Sequence, residues 1–218
     1  MIDLHTHTIF SDGQLIPSEL VRYAAVTDYR AIAITDHGDH SNLDFIIPRI
    51  VQPCRVLAES HRLRVIPGIE LTFVPPEHID DLAKKARELG ARIVVVHGET
   101  IVEPVIPGTN RAALQSSIDI LAHPGLITAE EAALAGERGI FLEITTRRGH
   151  SLTNGHVARM AREHGAPLVL NTDTHLCDDL VTDAMARSIA AGAGLTDAEI
   201  TVMFVNSERL AERAFRAD

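Results

Sequence analysis

The sequence predicts an α/β protein built on a parallel sheet, and three observations carry that prediction. Short β-rich runs alternate along the chain with longer segments of helical character, the order that wraps helices around parallel strands. Two of the runs, Ile93 to Val96 and Leu168 to Leu170, are apolar without interruption, as strands are when both faces of their sheet are covered. Gly90, Gly139 and Gly165 each stand one or two residues before a β-rich run, where a helix ends in a left-handed cap. The 218 residues suit one barrel-like α/β domain over residues 1–218, since no linker-like stretch divides them.

Taken in order, Ile2 to His7 is the first predicted strand and Pro17 to Asp28 the first helix. Ala31 to Thr35 follows as a strand, then helix over part of Leu43 to His61, then the strand Arg64 to Glu70. Pro76 to Leu89 is a helix ending at Gly90, before the strand Arg92 to His97. Ile118 to His123 and Ile140 to Thr145 are strands separated by the helix Thr128 to Arg138, which Gly139 closes. The helix Asn154 to His164, closed by Gly165, leads to the last strand, Pro167 to Asn171. Three helical stretches end the chain: Val181 to Ala191, Asp197 to Val205 and Glu208 to Arg216.

Composition excludes several classes of function. The formal charge is −10, and the 20 Lys and Arg residues cluster only at Lys84-Lys85 and Arg147-Arg148, so a broad basic face for duplex nucleic acid is not expected. Two Tyr and no Trp offer little for stacking along a long single strand, although short oligonucleotides remain compatible. Cys54 and Cys177 are too few for a disulfide framework, and Cys177 is expected to be a buried structural thiol. No signal-peptide pattern or apolar run of membrane-spanning length occurs, so the expectation is a cytoplasmic protein without a membrane partner. Nothing in the sequence reports the oligomeric state.

The polar residues at strand ends carry the chemistry. Residues two apart on an extended strand point to one face, so His5 with His7, and Asp173 with His175, each form a chelating pair. His37, Glu70, His97 and His123 also fall at or just beyond strand C-termini, the edge where active sites of barrels and open α/β sheets collect. With Asp12 the set numbers six histidines and three carboxylates. A single histidine at a strand end is ordinarily a hydrogen-bonded core or loop residue, and Ser11-Asp12-Gly13 is an ordinary turn. Nine such residues at one barrel mouth are different, because burying them without metal is costly. One zinc takes about four ligands, so the inventory implies two or three divalent ions, zinc, manganese or iron.

His5-Thr6-His7 with Ser11-Asp12-Gly13, Thr35-Asp36-His37, Gly68-Ile69-Glu70, His97, His123-Pro124 and Asp173-Thr174-His175 resemble, as an ordered series, the motifs of the PHP (polymerase and histidinol phosphatase) family, stand-alone phosphoesterase type. The resemblance implies a distorted seven-stranded TIM-like (β/α) barrel holding up to three divalent metals. It implies that His5, His7, Asp12, His37, Glu70, His97, His123, Asp173 and His175 are the ligands. In some trinuclear relatives a histidine stands where Asp12 does. The remaining histidines match no ligand motif: His61, His78, His156 and His164 are expected on the surface, and His40 and His150 near the site mouth.

Three divalent ions, less three carboxylates and one bridging hydroxide, leave about +2 at the site, which matches a phosphate monoester dianion. The expected reaction is hydrolysis of a small phosphorylated metabolite, histidinol-phosphatase-like, by a metal-bound hydroxide with a pKa near about 7. No protein nucleophile is required, and no convincing triad is visible. Arg147, Arg148 and His150 follow the strand ending at Thr145, and a guanidinium there can hold phosphate through two hydrogen bonds. Glu99 and Glu103 are expected to orient a metal-bound water or a substrate amine, and Asn171 to support the last metal from behind its ligands. The alternatives are a phosphodiesterase or exonuclease on nucleotides or short oligonucleotides, a carbonyl-ester or amide hydrolase, and a non-catalytic metal module.

Overall fold

The computed structural model describes residues 1–61 and 63–216. Within them the chain forms β1 (Ile2–Asp3), α1 (Pro17–Val26), β2 (Ala31–Ile34), β3 (His37–Gly38), α2 (Leu43–Ser60) and β4 (Arg64–Leu71). It continues through α3 (Ile79–Leu89), β5 (Ile93–His97), α4 (Thr109–Gln115), β6 (Ile120–Ala122), α5 (Ala129–Arg138) and β7 (Phe141–Thr145). The last elements are α6 (Asn154–His164), β8 (Leu168–Asn171), α7 (Asp183–Gly192) and α8 (Asp197–Arg216). The strands pair in parallel in the order β1-β2-β4-β5-β6-β7-β8, with the short β3 beside β4. The result is a nearly closed seven-stranded barrel, as the sequence predicts.

One seam remains, between β1 and β8, and polar groups close it instead of a ladder. Asn171 Oδ1 accepts from Leu4 N at 2.9 Å, and Asp3 accepts from Thr172 N at 3.2 Å and from its hydroxyl at 2.5 Å. Above these, Asp173 N donates to His5 O and His7 N to Thr174 O. The chelating pairs from the two ends of the sequence therefore meet where the barrel is stitched shut.

Side chains alternate between two apolar layers. Ile32, Ile34, Val94, Val96, Leu142, Ile144, Leu168 and Leu170 face the surrounding helices, while Ile66, Ile93, Val95, Ile120, Ala122 and Val169 fill the barrel. Leu210, Ala211 and Ala214 of α8 join the interior cluster and plug the N-terminal end of the barrel. Moving toward the C-terminal end, the inward rows turn polar: Ile66 and Gly68 lead to Glu70, Ile93 and Val95 to His97, Phe141 to Glu143, and Val169 to Asn171. That change of polarity along each inward row is what builds a site at one end of an otherwise dry barrel.

Some elements differ from expectation. The stretches Asp197 to Val205 and Glu208 to Arg216 fuse into one helix, because the intervening Asn206 and Ser207 have partners: Asn206 Nδ2 donates to Leu168 O and Ser207 Oγ to Met203 O. Helix α4 was not predicted; it is seven residues long and buries only Ala113 and Leu114 as apolar anchors, too few for a periodic signal. Helix α2 runs through Pro48 and Pro53 because both lie outside its buried stripe of Ile46, Ile47, Ile50, Cys54 and Leu57, where the carbonyls they leave free can reach water. Gly90, Gly139 and Gly165 take the left-handed C-cap conformation their positions predict. Among the described residues, no helix is long and apolar enough to cross a membrane.

Candidate metal centre

All nine residues singled out as ligands converge at the C-terminal mouth of the barrel. Their donor atoms form overlapping groups: His5, His7 and Glu70; His5, His123 and Asp173; His7, Asp12, His37 and His175; and His97 and His123, joined by His150. In the centre, His5 Nε2 lies 3.3 Å from Glu70 Oε1, and His7 Nε2 lies 3.2 Å from Asp173 Oδ1. His123 Nε2 stands 3.7 Å from Glu70 Oε1 and 3.8 Å from Asp173 Oδ2. On one side, Asp12 Oδ1 bridges His37 Nε2 at 3.2 Å and His175 Nε2 at 3.0 Å. On the other, Glu103 Oε2 meets His97 Nε2 at 2.9 Å.

Local backbone geometry aims these side chains. Gly13 approaches so closely that a Cβ there would lie 2.5 Å from the His7 carbonyl oxygen, so only glycine lets the Asp12 turn fold against the strand. His123 and Asp173 are non-glycine residues with φ of 28° and 54°, conformations that cost energy and persist where the surroundings fix them. Strand alternation would point His123 outward with Leu121; the left-handed turn brings it inside, where it is 2% exposed.

Hydrogen bonds behind the rings present one nitrogen of each to the pocket. His5 Nδ1–H donates to Glu143 Oε1 at 2.9 Å, and His175 Nδ1–H to the Asp173 carbonyl at 2.9 Å. His97 Nδ1–H faces the Gly98 carbonyl at 3.1 Å. Glu143 was not identified from sequence, yet it is fully buried and also accepts from Asn171 Nδ2 and His123 N. A charged residue in the middle of an apolar strand, two residues from Phe141, was the available signal. Asn171 Nδ2 donates to the same Glu143 oxygen that holds His5.

Five buried atoms at the centre have no hydrogen-bond partner among the described residues: His5 Nε2, both nitrogens of His7, Glu70 Oε1 and His123 Nδ1. Leaving such groups buried and unpaired is costly, and a divalent cation satisfies imidazole and carboxylate donors together. The electrostatics agree. Burial, with His37 alongside, pushes His7 down to about 3, and burial with His97 nearby lowers His123, leaving both as the neutral rings that metals bind. Burial works against charge at His5 and His37 too, but Glu143, Glu70 and Asp173 outweigh it for His5, and Glu70 and Asp12 hold His37 up to about 10. For Glu70 the cost of burial is overcome by His5 and His37, and for Asp173 by His5 and His7, so both carboxyls sit below their usual range.

The substrate-side expectations divide. Arg147 is half-buried in the pocket wall, its Nε 3.8 Å from Asp173 Oδ2 and its Nη1 3.4 Å from Asp179 Oδ2. Arg148 is exposed and outside the lining, whereas His150 lines it. Glu99 turns away: its Oε1 accepts from Gly108 N and Asn110 N at the start of α4, a capping duty instead of a site role. Glu103 faces the histidines as placed. His40 is exposed, stacked edge-on against His78 at 5.0 Å, and does not line the pocket. Cys177 is half-buried with its thiol toward Asp178, not the buried thiol expected. Asp36, part of the Thr35-Asp36-His37 series, accepts from Thr8 and Ser11 and ties the turn carrying Asp12 to β2.

Residues 3–147 match the model of the PHP domain. An uncharacterized protein of Methanocaldococcus jannaschii is 53% identical over 200 residues, spanning 91% of this chain and 92% of the relative. A probable phosphatase of Shewanella pealeana is 30% identical, over 87% of this chain and 83% of its own. The DNA polymerase/3'-5' exonuclease PolX of Bacillus subtilis is 27% identical over 84% of this chain, which spans only 36% of it. Among solved structures, histidinol phosphate phosphatase from Lactococcus lactis, complexed with zinc, L-histidinol and phosphate, superposes with a TM-score of 0.62. It covers 89% of this chain and 94% of its own at 17% identity, a likeness of fold.

Proposed function

Since the chain belongs to the PHP domain family and is a metal-dependent hydrolase of phosphoric esters, we propose that its substrate is a small phosphate monoester, held over two or three divalent ions by the residues at the barrel mouth. The observation that carries this reading is the shape and charge of the pocket. It is a cavity of about 500 Å³ with Arg147 in its wall and His37, His97, His123, His150, Asp173 and His175 around it. That volume suits a metabolite. Phe73 is the only aromatic hydrocarbon ring in the described lining, which offers a nucleic-acid strand little to stack on.

Glu70, Asp173 and Asp12 would repel a phosphate dianion from the bare protein. When bound, divalent ions reverse that charge, neutralise phosphoryl oxygens and acidify the attacking water. The chain's own contribution is positional. His5, His7, Glu70 and Asp173 would hold one ion, His37, His175 and Asp12 a second, and His97 and His123 would belong to a third. Glu143 keeps His5 in one tautomer and orientation. Arg147 offers its fork to a non-bridging oxygen while Asp173 and Asp179 fix its approach.

A second reading, removal of nucleotides from short strands, is favoured by the similarity to the PolX polymerase-exonuclease. The two separate in one assay. Chelator-treated protein is resupplied with manganese, zinc or iron and offered monoesters, a phosphodiester and carbonyl esters. Phosphate release from monoesters alone, abolished by chelator, is expected. Cleavage confined to the diester would install the nuclease reading instead.

A further inference from the structure

The pocket contains a buried donor outside the ligand series. His150, in the loop after β7, is 6% exposed. One of its ring nitrogens lies with one each of His97 and His123 in a set whose members are all within 4.8 Å of one another. Its Nδ1 meets Thr100 Oγ1 at 2.8 Å. With Nδ1–H donating to that hydroxyl, Nε2 keeps its lone pair and faces the pocket, 3.5 Å from Glu103 Oε1. The other oxygen of Glu103 is the one at 2.9 Å from His97 Nε2, so a single carboxylate spans the two rings. The His150 ring is stacked on His123 at 4.2 Å and 16°.

This is the arrangement already seen at His5, His97 and His175: one nitrogen tied to a protein acceptor, the other presented inward. A histidine serving only as a packed loop residue has no need of an inward lone pair beside two other imidazoles. Asp173 Oδ2 stands 3.8 Å from His123 Nε2 and 4.0 Å from His150 Nε2, so the two rings present these nitrogens to one pocket.

We propose that His150 and Glu103 are ligands of the third ion, which His97 and His123 complete as a set of three imidazoles and one carboxylate. Four such donors are the number and kind that zinc takes. The inference rests on the reading of the mouth as a metal centre, but its content is specific to this chain. The two added donors come from the β5–α4 and β7–α6 loops. Those loops lean on each other, since a Cβ at Gly149 would touch Val102 at 3.5 Å. Half of the third ion's donors therefore come from these loops, beside His97 at the end of β5 and His123 just beyond β6.

Metal content after gel filtration, zinc affinity by chelator competition and the visible absorption of the cobalt-substituted protein test this. The chains compared are wild type, His150→Ala, Glu103→Gln and His97→Ala. Glu103 is 37% exposed on its side chain, so Glu103→Gln is compatible with folding, and circular dichroism checks each variant. The expected result is three ions in wild type and two in every variant, with the third affinity at least tenfold weaker and the cobalt spectrum altered. If His97→Ala loses an ion while both His150→Ala and Glu103→Gln keep three with wild-type affinity and spectrum, the proposal is overturned and the metal centre stands. If His97→Ala also keeps a full complement, or wild type binds only two ions, the proposal falls and, in the former case, the metal assignment of this corner falls with it.

Discussion

Glu143 receives three donors at one buried carboxylate, from His5 Nδ1, Asn171 Nδ2 and His123 N. Glu143→Ala removes the acceptor shared by all three, so His5 loses its anchor. Affinity for the central ion should fall about 10–100-fold, as for other acceptors behind metal-bound histidines; unchanged affinity in a chelator competition would show that His5 needs no such support. Arg147 makes a second residue-scale prediction. Arg147→Ala should lower kcat/KM for a phosphate monoester about 10–100-fold, the worth of one or two charge-assisted hydrogen bonds, while exposed Arg148→Ala should leave it alone. Equal effects of the two substitutions on steady-state kinetics would remove Arg147 from the substrate site. At this scale the nine clustered residues were legible because strand ends and two-residue spacing announce shared faces. Glu143 was not, because reading its strand as a single apolar run hides the inward row on which it sits.

At the scale of elements, the plug formed by α8 carries ion pairs around its apolar anchors Leu210, Ala211 and Ala214. Glu208 pairs with Arg30 and Arg64, at the starts of β2 and β4, and Arg213 with Asp119, just before β6. Asp119 is 6% exposed, takes a second pair from Arg87 at 2.5 Å and accepts from Val94 N at 2.8 Å. Both arginines reach solvent, so their pairs count for little, but Asp119→Ala leaves a buried backbone N–H without an acceptor and should cost about 2 kcal/mol. Urea unfolding measures this, and a change within about 0.5 kcal/mol, the range of ordinary surface substitutions, would mean that the apolar plug alone holds α8. The sequence announced the seven strands and the glycine-capped helices through local signals. It announced neither the two-residue β3 nor α4, which owe their existence to neighbours: β3 is held by its pairing with β4, and α4 by the cap from Glu99.

For the whole molecule, barrel closure was illegible in hydropathy because Asp3, Asn171 and Thr172 make the seam with polar atoms. The same mouth couples folding to metal and to pH. In the metal-free protein the carboxyls of Glu70, Asp173 and Asp12 are held below their usual range, against the cost of their burial, by His5 and His37, by His5 and His7, and by His175 and His37 respectively. Their contribution is present above the unfolded carboxyl range near about pH 4 and is lost as pH falls below it. His37 has its pKa raised to about 10, so its contribution is complete below about pH 6.5 and declines as pH rises from there toward 10. Against this, His7 and His123, whose pKa values burial lowers, stay neutral while the unfolded chain binds protons below about pH 6.5, so metal-free protein should be most stable at about pH 6.5. Divalent ions take the place of the imidazolium protons, so binding at pH 7 should release protons and move the stability maximum to neutral or higher pH. At 100 times the dissociation constant the added stability is about 2.7 kcal/mol per ion. Thermal unfolding across pH with chelator and with zinc gives the two curves, and titration calorimetry in buffers of different ionisation enthalpy counts the protons. Superimposable curves, or binding without proton release, would mean that the histidines at the mouth are already neutral and that charge pairing does not hold the empty site together.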